Sequence, residues 1–164
     1  HDIIHRNLKP SNILLDSSLY LKLSDFGICS HLLIMNSTTF QSISKMQGSS
    51  YYQAPEVLKS EGYEKASDVY SFALIVYEIM TGEKPMIEFK DFSSLYEEVV
   101  NKEFRPKFKK PIIECYRRLI VKCWCQNPSE RLSFHDIVEI LRDDISFITH
   151  EINKKEYYKF FTKL

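Results

Sequence analysis

His5-Arg6-Asn7-Leu8-Lys9-Pro10-Ser11-Asn12 opens the stretch that decides the fold, and Asp25-Phe26-Gly27 closes it. Pro10 stops the helical start from continuing, because its ring fixes φ and it carries no N–H. The segment therefore reads as a helix end running into a loop. Ile13-Leu14-Leu15 and Leu19 to Leu23 are short apolar runs with strand character, and Asp16-Ser17-Ser18 between them supplies turn chemistry. A small hairpin is expected there. From Asp25 to about Gln53 the chain is rich in Ser, Thr, Asn and Gln without a sustained period, which reads as a long functional loop.

Further along, the periodicity turns helical. Ser67 to Thr81 carries Val69, Phe72, Ala73, Val76, Ile79 and Met80 at helical spacing, while Tyr70, Leu74, Ile75 and Tyr77 make the other faces apolar too. A helix apolar all round is a central, buried one. Gly82 is its natural stop. Asp68 and Glu78 interrupt it, and a carboxylate in such a setting must find partners or cost several kcal/mol. Phe92 to Asn101 reads as a second helix. Pro111 suits the first turn of a third, running to about Cys125, with Asn127-Pro128 as its breaker. Ser133 caps a fourth, with Asp136 completing a capping box and Ile137, Ile140, Leu141, Ile145 and Ile148 as its apolar stripe. The tail from Glu151 to Leu164 is charged, aromatic and helical in character. The fold class is mainly α (α+β), with one hairpin near the start.

Composition narrows the function. The chain has 164 residues, 44% hydrophobic and 27% charged, which suits one ordered domain and excludes disorder. Twenty-two Lys+Arg balance 22 Asp+Glu, so no bulk charge draws nucleic acid or an anionic membrane. The longest uninterrupted apolar run, Phe72 to Tyr77, is far short of a bilayer span, and no leader pattern follows His1. The four glycines, Gly27, Gly48, Gly62 and Gly82, stand far apart, so the chain holds no glycine-rich phosphate cradle. Cys29, Cys115, Cys123 and Cys125 lack the spacing of a zinc site. Cys123 and Cys125, flanking Trp124, read as buried free thiols, which fits a cytoplasmic location.

Four strings occur in fixed order: the His5–Asn12 loop, Asp25-Phe26-Gly27, Ala54-Pro55-Glu56 and Asn127-Pro128-Ser129-Glu130-Arg131. Together they resemble the C-terminal lobe of the eukaryotic protein kinase fold, from His1 to about Ile148. This implies a lobe over residues 1–150 and a tail over 151–164. Met80-Thr81-Gly82-Glu83-Lys84-Pro85 and Cys123-Trp124 look most like the tyrosine-kinase-like group. Lys9-Pro10-Ser11-Asn12 looks like the serine/threonine type. The resemblance implies ATP and Mg²⁺ as cofactors, with Asn12 and Asp25 as metal ligands and Lys9 on the transferring phosphate. It also implies a protein substrate or binding partner, with no nucleic acid and no membrane.

At Asn7 the family has an aspartate, which orients or accepts the substrate hydroxyl proton. An amide has that shape but takes no proton at neutral pH. General-base catalysis is worth about 10²–10⁴-fold, so impaired phosphoryl transfer is expected, with a pseudokinase acting as a binding or scaffold module as the alternative. The family's glycine loop, strand lysine and partner glutamate belong to an N-terminal lobe that this stretch does not include. ATP binding by these residues alone is therefore expected to be weak, and the surface facing that lobe to carry exposed apolar groups. By the same resemblance Asp68 bonds the catalytic-loop backbone, Glu56 pairs with Arg131, and Arg6 receives a phosphate from the segment holding Ser37, Thr38, Thr39, Ser42 and Ser44. Ser49 keeps a hydroxyl in the substrate-docking stretch, and Leu132 departs from the family's proline. His5 and Trp124 read as core residues, and Lys107, Lys109 and Lys110 as a solvated face. The tail aromatics Tyr157, Tyr158, Phe160 and Phe161 read as the cover of a groove or a partner contact.

Overall fold

A computed structural model of the chain describes residues 3–26, 50–150 and 152–162. Gly27, Cys29, Gly48, Ser49 and the Ser37–Ser44 hydroxyls lie outside them, as does most of the expected loop. A 3₁₀ turn at Pro10–Asn12 leads into β1 (Ile13–Leu15), which pairs antiparallel with β2 (Leu21–Leu23), Ile13 opposite Leu23 and Leu15 opposite Leu21. The second strand is shorter than the apolar run suggests. Asp16 Oδ1 accepts the N–H groups of Ser18 and Tyr20, both at 2.9 Å, so the turn runs through Tyr20. Leu19, read as strand, sits in that turn at φ 62°.

The rest is helical. The helices are α1 (Pro55–Leu58), α2 (Lys65–Thr81), α3 (Phe92–Tyr96), α4 (Glu114–Cys123), α5 (Phe134–Asp143) and α6 (Lys154–Phe161). The central helix α2 starts two residues before the expected Ser67. Glu64 and Ser67 form a reciprocal capping box that satisfies its first N–H groups. It ends at Gly82, whose φ of 71° a side chain would strain. Val69, Tyr70, Ala73, Leu74, Ile75 and Tyr77 are buried. The expected stripe is thus only partly the core face: Ile79 is 73% exposed. Burial of one such side chain is worth about 1.5–3 kcal/mol. α2 packs on α4, and Tyr77, Phe108 and Trp124 form a ring cluster with centroids 5.5–6.0 Å apart.

Three boundaries depart from the sequence reading. The Phe92–Asn101 helix is α only to Tyr96 and continues as a π turn over Glu97–Asn101. Pro111 stands outside α4, whose N-cap is Ile113, and Cys125 lies beyond its end. Cys123 is buried, and burial pushes its thiol up to about 12, but Cys125 is only partly covered. α5 has the expected Ser133–Asp136 capping box and stops at Asp143. Ile145 is therefore not on its stripe and is 73% exposed, while Phe147 turns inward from a 3₁₀ turn to meet Tyr116 edge-on. Tyr157 of α6 donates its hydroxyl to the Leu141 carbonyl, tying the tail to the end of α5. No helix among the described residues is long and apolar enough to cross a membrane.

Candidate catalytic loop

Asp68, the acid near the start of α2, organises the loop at the front of the chain. Its carboxylate accepts the His5 N–H at 2.6 Å and the Arg6 N–H at 3.0 Å. Burial raises its pKa, and the two backbone donors and nearby positive groups oppose that rise without cancelling it. The two bonds hold Arg6 at φ 68°, a conformation that costs a non-glycine residue roughly 1–3 kcal/mol and persists only where the surroundings enforce it. His5 is 4% exposed, as a core residue should be, yet it also orients the loop. Its Nδ1 accepts the Asn7 N–H at 3.3 Å, which leaves Nε2 to carry the proton and donate to the Ser24 carbonyl at 2.9 Å. The ring rests 4.5 Å from that of Phe26.

The four predicted site residues lie on the two chain segments that this scaffold joins. Asn12 is 2% exposed, and its Nδ2 donates to the Asn7 carbonyl at 2.8 Å. Its own N–H closes the 3₁₀ turn onto the Lys9 carbonyl at 3.0 Å. Its carbonyl accepts the Ser24 N–H at 3.0 Å, which brings Asp25, the next residue, beside the loop. Asp25 stands at φ 58° with an exposed side chain. Arg6 and Asp25, both with left-handed backbone, stand on the two segments that carry Asn7, Lys9, Asn12 and Asp25. Ser24 is a positioning residue that no pattern in the sequence singles out: its carbonyl accepts from His5, and its N–H and, at 3.5 Å, its hydroxyl donate to the Asn12 carbonyl.

With Nδ2 of Asn12 committed to Asn7, Oδ1 is the oxygen that side chain offers. An amide oxygen and an exposed carboxylate are hard donors suited to Mg²⁺, which takes one or two protein groups and completes its shell with phosphates and water. Among the described residues no cluster of three His, Cys, Asp or Glu side chains forms a self-sufficient metal site. Two such donors would leave most of a Mg²⁺ shell to phosphate and water. Lys9 supplies a cation on the same loop. Asn7 supplies an amide and no base.

Behind the loop, a buried ion pair fixes the stretch that follows residue 50. Arg131 donates to both carboxylate oxygens of Glu56, at 2.8 and 2.9 Å, and Ser67 Oγ donates to the first at 2.7 Å. Burial pushes the Glu56 pKa up, but the bonds and charge of Arg131, with Ser67, outweigh it and leave it below the ordinary value. Arg131 also stacks on the Tyr70 ring, 5.1 Å from its centroid, while Arg105 approaches the same ring at 5.0 Å. The second acid of α2, Glu78, accepts the Tyr52 hydroxyl. Burial and that bond push the Tyr52 phenol up. Ser71 Oγ donates to the Tyr52 carbonyl at 2.7 Å, so α2 grips this stretch at two points.

The hairpin carries a different surface. Leu14, Leu15, Leu19, Leu21 and Leu23 are 46–77% exposed, and Phe26 is 51% exposed.

Comparison with known proteins agrees with the geometry. Residues 1–141 match the family model described as protein kinase domain. The chain is 32% identical over 157 residues to the dual specificity protein kinase shkC of Dictyostelium discoideum, covering 95% of this chain and 31% of that protein. It is 40% identical over 142 residues to the serine/threonine-protein kinase VIK of Arabidopsis thaliana, covering 85% of this chain and 32% of the relative. It is 39% identical over 154 residues to serine/threonine-protein kinase 12 of the same plant, covering 91% and 32%. The chain thus spans about a third of the length of these relatives. A family match over residues 1–141, on a scaffold in which Asp68 holds the His5–Asn12 loop, shows that the chain belongs to the protein kinase family.

Proposed function

We propose that the chain is the C-terminal lobe, over residues 1–150, of a serine/threonine protein kinase of the tyrosine-kinase-like group, and that its phosphoryl transfer is impaired at Asn7. The observation that carries this reading is the intact loop around a changed residue. Asn12 Nδ2 still holds the Asn7 carbonyl at 2.8 Å, and Asp68 still holds the backbone on its other side. The scaffold is kept while the acceptor is an amide. Lys9-Pro10-Ser11-Asn12 supports the serine/threonine assignment, and two of the relatives are named as serine/threonine kinases.

Asn12 and Asp25 would hold Mg²⁺ brought with ATP, and the metal would offset charge on the phosphates. Lys9 places a positive charge where the transferring group develops negative charge. Asn7 orients a substrate hydroxyl by hydrogen bonding and leaves its proton in place. A loose transition state does not require full deprotonation, so the reaction is slowed.

A second reading is favoured by the same residue. With no base at Asn7, the lobe acts as a pseudokinase that binds a protein partner in the cytoplasm. The Glu56–Arg131 pair and the ring cluster at Tyr77 lie away from Asn7 in sequence and supply a scaffold that such a module would keep. Nucleotide binding tests the roles given to Asn12 and Asp25. In the full-length gene product, calorimetric titration should show Mg-dependent ATP binding that Asp25→Ala abolishes and Asn7→Asp leaves intact. The 164-residue chain alone should bind Mg-ATP more weakly than micromolar. Micromolar affinity in this chain, or binding indifferent to Asp25→Ala, contradicts the assignment.

A further inference from the structure

Away from the loop, residues 102–122 hold eight Lys or Arg and two Glu in a chain that is neutral overall. Two of these cations serve the fold: Lys102 bonds Glu98 at 2.6 Å, and Arg105 lies over Tyr70. The other six, Lys107, Lys109, Lys110, Arg117, Arg118 and Lys122, are exposed. They form one surface because Arg117 of α4 lies over the Phe108 ring, 5.7 Å from its centroid. That contact joins the lysine loop to the outer face of α4, where Arg118 and Lys122 sit one turn apart.

Beside the lysine loop is a cavity of about 300 Å³ whose lining includes apolar Met86, Ile87 and Pro106 and the cations Lys84, Lys107 and Lys109. Acids are present but mostly committed. Glu83 bonds Lys109 at 2.9 Å, Glu114 meets Arg117 at 3.6 Å, and Asp144 faces Arg118. Glu88, also at the cavity, and exposed Glu103 are the other two. Among the described residues, Lys84, Lys107, Lys110 and Lys122 have no carboxylate partner.

We propose that this surface docks an acidic, extended segment of a partner protein, with one aliphatic side chain seated in the cavity and carboxylates on Lys84, Lys107 and Lys110. Charge complementarity selects the partner's sign, and the apolar lining selects a side chain between the acids. A single strand of nucleic acid needs exposed aromatic platforms, and here Phe108 is covered by Arg117 and Tyr77 is buried. A membrane surface needs a broad apolar face, and α4 exposes outward only Val121 among its cations, with Ile113 just before it. Docking is independent of phosphoryl transfer, so it stands whether or not Asn7 permits catalysis.

Fluorescence anisotropy tests it, with the 164-residue chain and a labelled peptide of twelve residues rich in Glu and Asp around a central Leu. Saturable binding is expected, weakened about tenfold or more by the Lys84→Glu/Lys107→Glu/Lys110→Glu variant and by molar salt. Replacing the central Leu of the peptide with Ser should weaken it several-fold, an arm that needs no protein variant. The substituted lysines are exposed, so an unchanged melting temperature verifies folding. Absence of peptide binding, binding equal in the triple variant, or tighter binding to a single-stranded oligonucleotide or to phosphatidylserine vesicles would overturn the proposal.

Discussion

Replacing Arg131 with alanine should be among the most damaging single changes in the molecule. The guanidinium is wholly buried and makes five hydrogen bonds: two to Glu56, and one each to the carbonyls of Cys125, Ala66 and Gln126. It also covers one face of Tyr70. Truncation leaves the Glu56 carboxylate, 8% exposed, with Ser67 as its side-chain donor. Removing one partner of a buried pair costs about 3–5 kcal/mol, because the other charge stays behind unpaired. For a chain of this size each kcal/mol moves the melting temperature by about 2–4 °C, so a fall of roughly 6–20 °C is expected. Arg131→Lys should rescue little, since a point charge cannot reproduce the bidentate fork. Glu56→Leu with Arg131→Met should recover most of the loss, because it removes both charges and refills the volume. Urea denaturation measures all of these. A loss below about 1 kcal/mol for Arg131→Ala would refute the reasoning, since that is the size of an exposed pair.

Two further outcomes follow from the buried acids. Asp68→Ala leaves the His5 and Arg6 N–H groups without their acceptor and should cost about 1–3 kcal/mol for each orphaned donor; hydrogen exchange at those two amides should accelerate more than at the α4 core, and equal protection there would contradict the role given to Asp68. The ion pair also sets a pH dependence. Glu56 has a folded pKa below its ordinary 4.5, so its contribution is complete above that value and is lost as pH falls through the folded pKa. The stability difference between wild type and Glu56→Gln should therefore shrink on acidification below 4.5. Asp68, whose pKa is raised, contributes with the opposite sign but equally in both proteins, so it cancels.

The need for partners was legible, because charges in apolar company must be paired; the partner of Asp68 came from the family resemblance. Asp68 and Glu78 stand in a greasy helix, and each has one: the His5–Arg6 backbone and the Tyr52 hydroxyl. Tyr52 was not legible as that partner, because nothing in one sequence pairs residue 52 with residue 78. The ends of elements were less readable. Pro111 is permitted in a first turn but does not require one, and the chain runs on to Ile113 before α4 begins. Ile145 continued a helical period that the helix does not follow, since Asp144 spends its side chain capping Ser146. Ser24 was invisible because its shorter bonds, to His5 and Asn12, are made by backbone groups, which every residue type has.

At the site, the family resemblance named the role expected of each residue, and the structure supplied the placement of the segments that carry them. Lys9, Asn12 and Asp25 are separated by a hairpin in sequence, and the Ser24–Asn12 bond closes that gap. The left-handed backbone at Arg6 could not be foreseen, because arginine does not favour it and tertiary contacts impose it; aspartate visits that region more readily, as Asp25 does.

The rate of phosphoryl transfer to a protein serine, in the full-length product and its Asn7→Asp variant, tests the central claim most directly. With the loop already held by Asp68 and Asn12, restoring the carboxylate should raise the single-turnover rate by about 10²–10⁴-fold while ATP affinity stays unchanged. A variant no faster than wild type would show that the scaffold around Asn7 is not a catalytic loop lacking only its proton acceptor.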